Sequence, residues 1–151
     1  PMPTDFCIGV AGYPEKHVES PNMVADIHFL KEKIKAGADY IVTQMFFDNE
    51  KYFKFVELCR ENDINVPIIP GLKPIAARSQ LTNLPKTFAI DLPEALVSEI
   101  LKCKDNTSVN QVGVEWTTAQ AKELKERGVQ VLHFYTMGKA DNIRKIVKSV
   151  F

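Results

Sequence analysis

The sequence predicts an α/β protein built on a parallel sheet. Three observations point there. Four short segments are near-continuous apolar runs: Phe6–Ala11, Tyr40–Phe46, Val66–Leu72 and Val129–Tyr135. Such runs mark strands covered on both faces, whereas a half-solvated strand alternates. Helical patterns separate them, which calls for βαβ crossovers. Ser20-Pro21 and Asp48 open helical patterns between the runs, and Gly37 and Gly128 close them.

The first helix is predicted from Ser20-Pro21, as cap and first-turn proline, to about Ala36. Met23, Ile27, Leu30 and Ile34 form one stripe, and Gly37 ends it. Asp48 caps a second helix with Phe53, Val56 and Cys59 facing inward. After the third strand come a short helical turn around Ser79–Leu84 and another around Pro93–Cys103. A longer helix runs from about Ser108 to Arg127, closed by Gly128, and a last one from Ala140 to Val150. The order is β-α-β-α-β-α-α-α-β-α. From pattern alone this is either a small open α/β sheet or half of a (β/α)₈ barrel, since a complete barrel needs about 250 residues. Trp116, Phe53 and Phe55 read as core or helix-interface residues.

Composition narrows the function classes. The 151 residues fit one domain, with 45% apolar and 25% charged residues. Lysine plus arginine and aspartate plus glutamate are 19 each, for a formal net charge of zero. That balance argues against nucleic acid or an anionic membrane surface as partner. Cys7, Cys59 and Cys103 are widely spaced and form no C-x-x-C pair, so reduced thiols in a cytoplasmic protein are expected and a metal site is not. No apolar run approaches a membrane span. The chain opens Pro-Met-Pro close to the first strand, and a fragment is expected.

In parallel α/β folds the chemistry gathers at the carboxyl ends of the strands. Those ends read Tyr13-Pro14-Glu15-Lys16-His17, Thr43-Gln44-Met45-Phe46-Phe47-Asp48, Pro70-Gly71-Leu72-Lys73-Pro74, and His133-Phe134-Tyr135-Thr136-Met137-Gly138-Lys139. Rings, amides and a few cations suit a flat heteroaromatic ligand, stacked on side chains and hydrogen-bonded along its edge. No Ser–His–Asp set, G-x-G-x-x-G, P-loop or H-x-x-x-H pair is present. Taken alone, Tyr13 would be a core-edge aromatic, His17 a solvated loop histidine, and Lys31, Lys33 and Lys35 an ordinary helix face.

Five blocks in register give a resemblance: VAGYPEKH, D-x-x-x-L-K-x-K-x-x-A-G-A-D, TQMFFD, IIPGLKPI and HFYTM. Together they resemble methylenetetrahydrofolate reductase of the bacterial type, over essentially the whole chain. The resemblance implies the C-terminal (βα)₄ half of a (β/α)₈ TIM barrel. Residues 1–151 would be a single partial domain holding barrel strands five to eight. It also implies FAD as cofactor, NAD(P)H as co-substrate, and reduction of 5,10-methylenetetrahydrofolate to 5-methyltetrahydrofolate in one-carbon metabolism.

The residue roles follow from the same resemblance. Tyr13, His17, Asp26 and Lys33 match cofactor-binding positions. Gln44, Gln80, Leu84, Tyr135 and Lys139 match positions around folate and nicotinamide. Leu84 stands where some relatives carry phenylalanine, and Lys139 where bacterial relatives often carry arginine, whose fork geometry lysine does not reproduce. The family's general acid, a glutamate on the first barrel strand, and a flavin-tuning aspartate on the fourth belong to the other half. No catalytic residue is therefore expected here, and this chain alone is expected to be inactive. It is expected to pair with that half or with itself. The rival readings are a non-catalytic (βα)₄ binding module and a phosphate-binding aldolase barrel. Against the aldolase, no glycine-rich phosphate loop follows the fourth strand.

Overall fold

The computed structural model describes residues 6–138 and 140–151. Its elements, in chain order, are β1 (Gly9–Gly12), α1 (Met23–Lys35), β2 (Tyr40–Met45), α2 (Asn49–Glu61), β3 (Ile68–Leu72), α3 (Gln80–Phe88), α4 (Glu94–Lys102), α5 (Asn106–Glu126), β4 (His133–Phe134) and α6 (Asp141–Val150). The predicted order holds throughout. The four strands form one sheet in the order β1-β2-β3-β4, every pair parallel.

That order resolves the choice left open by the pattern. Right-handed crossovers that always step the same way place every helix on one face. A doubly wound open sheet instead reverses direction midway and covers both faces. Here no reversal occurs, so the sheet is a barrel segment. Its helix-facing side packs Ile41, Ile68 and Leu72 against Ile27 and Leu30 of α1, Tyr52, Phe55 and Cys59 of α2, Ala121 and Leu124 of α5, and Ile146 of α6. On the opposite, concave side Tyr40, Val42 and Ile69 remain partly exposed. A second cluster lies beyond the carboxyl ends of the strands. It joins Met45, Phe47 and Ile75 to Leu84, Ile90, Leu96, Ile100 and Val109, so α3, α4 and the start of α5 roof that end.

Several boundaries differ from the sequence reading. Helix α1 is capped by Asn22, whose Oδ1 accepts from Ala25 N at 2.9 Å. Ser20 instead donates to Asp26, at 2.7 Å, from the preceding turn. Asp48 does cap α2, accepting from Glu50 N, but the buried face is Tyr52, Phe55 and Cys59. Phe53 lies under the Arg127 guanidinium, 3.4 Å from its ring centroid. Helix α3 runs one turn further than predicted. Strand β4 is only two residues long, because it pairs with β3 through Gly71–His133 and Leu72–Phe134 alone. Gly37, at φ +110, takes the left-handed conformation that ends α1.

Candidate functional site

The loop after β1 is tied down from several directions. Lys16 N donates to Tyr13 O and Ser20 N to His17 O, each at 3.0 Å. Lys16 sits at φ +74, and its ammonium donates to the carbonyls of His17 and Ser20 at 2.8 and 2.5 Å. Asp26, one turn into α1, accepts from His17 N at 3.1 Å and from Ser20 Oγ. These contacts bring the rings of Tyr13 and His17 edge to face, with centroids 4.6 Å apart. His17 Nδ1 accepts from Glu19 N at 3.2 Å. In the neutral ring the proton therefore resides on Nε2. Burial raises the Tyr13 phenol, helped by the nearby Asp26 charge.

Glu15 fastens this loop to the rest of the rim. Its Oε1 accepts from Asp91 N at 3.0 Å and from the Lys51 ammonium of α2, which also holds the Asp91 carboxylate at 2.7 Å. Oε2 is sealed from water without a partner. Burial pushes the Glu15 carboxyl above its usual range despite the Lys51 cation. Lys51, held by two carboxylates, is raised although burial opposes it.

Two glutamines present the same chemistry. Gln44 Oε1 accepts from Met45 N at 2.9 Å, and Gln80 Oε1 accepts from Ala76 N at 2.7 Å. A backbone N–H can face only an acceptor, so both amide orientations are set and both NH₂ groups remain for other partners. Tyr135 donates to Thr43 O at 2.9 Å and lies over Gly71, where a Cβ would come within 2.7 Å of its ring. Thr43 Oγ1 in turn accepts from Gly71 N. Burial raises the Tyr135 phenol, and the Tyr13 phenol adds to the shift.

Tyr13 and Gln44 line one small hollow at the carboxyl end of the sheet, together with Glu15, Phe88 and Ile90. Tyr135 is bonded to Thr43 O, the residue before Gln44. Gln80 is separate from that hollow: it closes the β3–α3 turn. Asp26 is committed to the loop, and Lys33 reaches only to Ala11 O at 3.5 Å on the exposed side of α1. Leu84 is 5% exposed within the roof cluster, so it acts as core and presents no open stacking face. Lys139 lies outside the described residues. Sequence reasoning gave Lys73 no role, yet it is one of the few buried charged residues. Its signal was a lysine in the otherwise apolar IIPGLKPI.

Wider clefts lie between outer helices, as at Phe47, Pro93, Trp116 and Gln120. Their polar groups are mostly spent on packing: Trp116 Nε1 donates to Phe47 O, and Asn49 Nδ2 donates to Gln120 O. Among the described residues no cluster of histidine, cysteine and carboxylate could hold a metal, and no helix is long and apolar enough to cross a membrane.

A singly wound parallel β/α segment of four strands defines a half TIM barrel. The comparisons agree. A solved structure from Clostridium thermocellum, described as an uncharacterized protein that binds two copies of 5-methyl-5,6,7,8-tetrahydrofolic acid, superposes with TM-score 0.66 at 22% identity. It covers 97% of this chain and 53% of that one. The family model for methylenetetrahydrofolate reductase matches residues 2–150, and the chain belongs to that family. A probable methylenetetrahydrofolate reductase (NADPH) of Caenorhabditis elegans is 37% identical over 96% of the chain, but only 22% of that protein is matched. The 5,10-methylenetetrahydrofolate reductase of Buchnera aphidicola from Acyrthosiphon pisum is 36% identical over 91% of the chain and 47% of its own length. The chain thus spans from about a fifth to about half of the relatives it matches.

Proposed function

We propose that this chain is the folate-binding half of a reductase that converts 5,10-methylenetetrahydrofolate to 5-methyltetrahydrofolate with FAD and NAD(P)H. Residues 1–151 form one partial domain, whose barrel is completed by a second half carrying the proton donor. The observation that carries this reading is the hollow shared by Tyr13 and Gln44, with Tyr135 bonded to the neighbouring Thr43, within a family match spanning the chain. The folate ligand of the Clostridium thermocellum protein and the reductase names of the relatives support it. Exposed Phe6, Ile8 and Val131 flank the two outer strands, as surfaces covered by further strands would.

The residues at the loop after β1 fit a flavin nucleotide. The Tyr13–His17 pair offers ring surface. His17 Nε2–H and the Lys33 ammonium have no short hydrogen bond among the described residues and would serve phosphate oxygens. Asp26 acts by holding the loop, and Glu15 by bracing it against α2. When bound, FAD carries hydride between nicotinamide and folate. This chain orients the rings, and Gln44 donates to the folate pterin.

The test is equilibrium binding of 5-methyltetrahydrofolate to the chain, with turnover assayed after addition of FAD and NADH. The chain is expected to bind folate, to lose about tenfold affinity in Gln44→Ala, and to show no turnover by itself. Absence of folate binding would overturn the reading. Robust turnover would overturn the requirement for a second half.

A further inference from the structure

Lys73 follows β3 directly and is 5% exposed. A lysine is almost never buried so far without a partner, because removing an ammonium from water is costly. The other half-buried lysine of the rim, Lys51, has two carboxylates. Lys73 has no hydrogen bond or ion pair among the described residues, and the one influence on its ammonium is burial, which lowers its pKa. It is not sealed in, either. The sealed and unpartnered side-chain atoms among the described residues are Glu15 Oε2, Thr117 Oγ1 and Gln120 Oε1. The 5% of its surface that stays exposed leaves the side chain a narrow opening.

Alternation along β3 places that opening. Ile68 and Leu72 belong to the helix-facing cluster, so Gly71 faces the concave side, where Tyr135 covers it. Lys73 continues the parity of Gly71. In β2, Ile41 faces the helices, which turns Val42 and Gln44 to the same concave side. Lys73 also opens the turn that Gln80 closes through Ala76 N. One amide NH₂ group, that of Gln44, lies at the end of β2, and the Lys73 ammonium and the Gln80 NH₂ follow the neighbouring β3. All three are donors, and their acceptor atoms are spent on backbone or do not exist.

We infer that Lys73 is a specificity-determining ligand contact, its ammonium donating to the carbonyl oxygen on the acceptor edge of the pterin ring, with the Gln44 NH₂ offered from the neighbouring strand end. The inference rests on the folate reading above and names a contact within it. A ring carrying donors along that edge would leave the ammonium facing N–H groups, so Lys73 discriminates by acceptor pattern as well as by charge. The flexible carboxylate tail of folate is the other source of acceptor oxygens, and it is excluded here because a nearly buried cation leaves little room for a solvated tail.

The experiment compares wild type with Lys73→Met and Lys73→Gln by calorimetric binding of 5-methyltetrahydrofolate and of 6-methyltetrahydropterin, which lacks the tail. Urea unfolding of each variant runs in parallel. Lys73→Met is expected to weaken both ligands about tenfold or more while unfolding at the same or a higher urea concentration, since a buried cation is lost. Lys73→Gln, which keeps a donor without charge, is expected to lie between, and it decides the matter if the methionine variant does not fold. Wild-type affinity in both variants would overturn the inference and leave the folate reading standing. So would a loss confined to the tail-bearing ligand. If wild type binds neither ligand, both proposals fall.

Discussion

Gly113, near the middle of α5, is the position where local and tertiary physics pull in opposite directions. An alanine in place of a helix-interior glycine favours folding by about 1 kcal/mol through backbone entropy. At Gly113, however, an added Cβ would stand 1.8 Å from Ile75 O, 2.7 Å from its carbonyl carbon and 2.8 Å from its nitrogen. Carbon–oxygen contacts normally begin at about 3.3 Å, so α5 and the β3–α3 turn would have to part by about 1.5 Å. The obstacle is backbone, which cannot rotate away as a side chain does. Overpacking of this kind costs typically 1–3 kcal/mol, and its upper end applies here. The net result expected for Gly113→Ala is a loss of about 2 kcal/mol, the cost of about 3 less the helix gain of about 1. For a chain of this size that lowers the melting temperature by about 4–8 °C. Urea unfolding followed by far-UV circular dichroism and by fluorescence of the single tryptophan, Trp116, reads the change. An unaltered or raised urea midpoint would refute the reasoning, because propensity alone would then have decided the outcome.

Two further perturbations probe buried polar groups. Tyr52→Phe removes the hydroxyl that donates to Ile68 O at 2.8 Å, costing about 1 kcal/mol in urea unfolding. Burial also pushes the Tyr52 phenol up to about 12. The folded state then holds a proton that the unfolded chain has released, so wild type loses stability as pH rises from 10 towards 12 and the Tyr52→Phe variant loses less; equal alkaline slopes would contradict this. Glu15 follows the same sign at lower pH. Burial raises its folded pKa above the ordinary 4.5. Wild-type stability relative to Glu15→Gln should therefore be greatest below pH 4.5 and decline as pH rises above it. A difference between the two proteins that grows with pH would show that the Lys51 pair outweighs burial.

The legibility of the sequence follows the range of the interactions involved. Asp48 as the cap of α2 and Gly37 as the stop of α1 were readable because each acts within one turn of chain. The start of α1 was not. Ser20-Pro21 and Asn22 are both acceptable starts locally, and Asp26 settles the matter by taking Ser20 Oγ and His17 N into the loop. Among the candidate site residues, Tyr13 and Gln44 do share a hollow, and Tyr135 is bonded to the neighbouring Thr43. Leu84 does not join them, because Ile75, Ile90 and Leu96 surround it.

What the chain alone determined is the alternation of four buried strands with helices, since apolar runs, caps and breakers are local properties that survive in any environment. The family motifs likewise lie in contiguous blocks. Tertiary structure decided three things that no window of sequence contains. Sheet order without reversal made the segment part of a barrel. Long-range hydrogen bonds set which polar atoms were spent, as with Glu15 on Lys51 and Asp91 N and Tyr135 on Thr43 O. Packing within the roof turned Leu84 into core, and Lys73 is buried without a counter-charge among the described residues. Each depends on which distant groups meet, and burial and hydrogen bonding are properties of that meeting rather than of the residue.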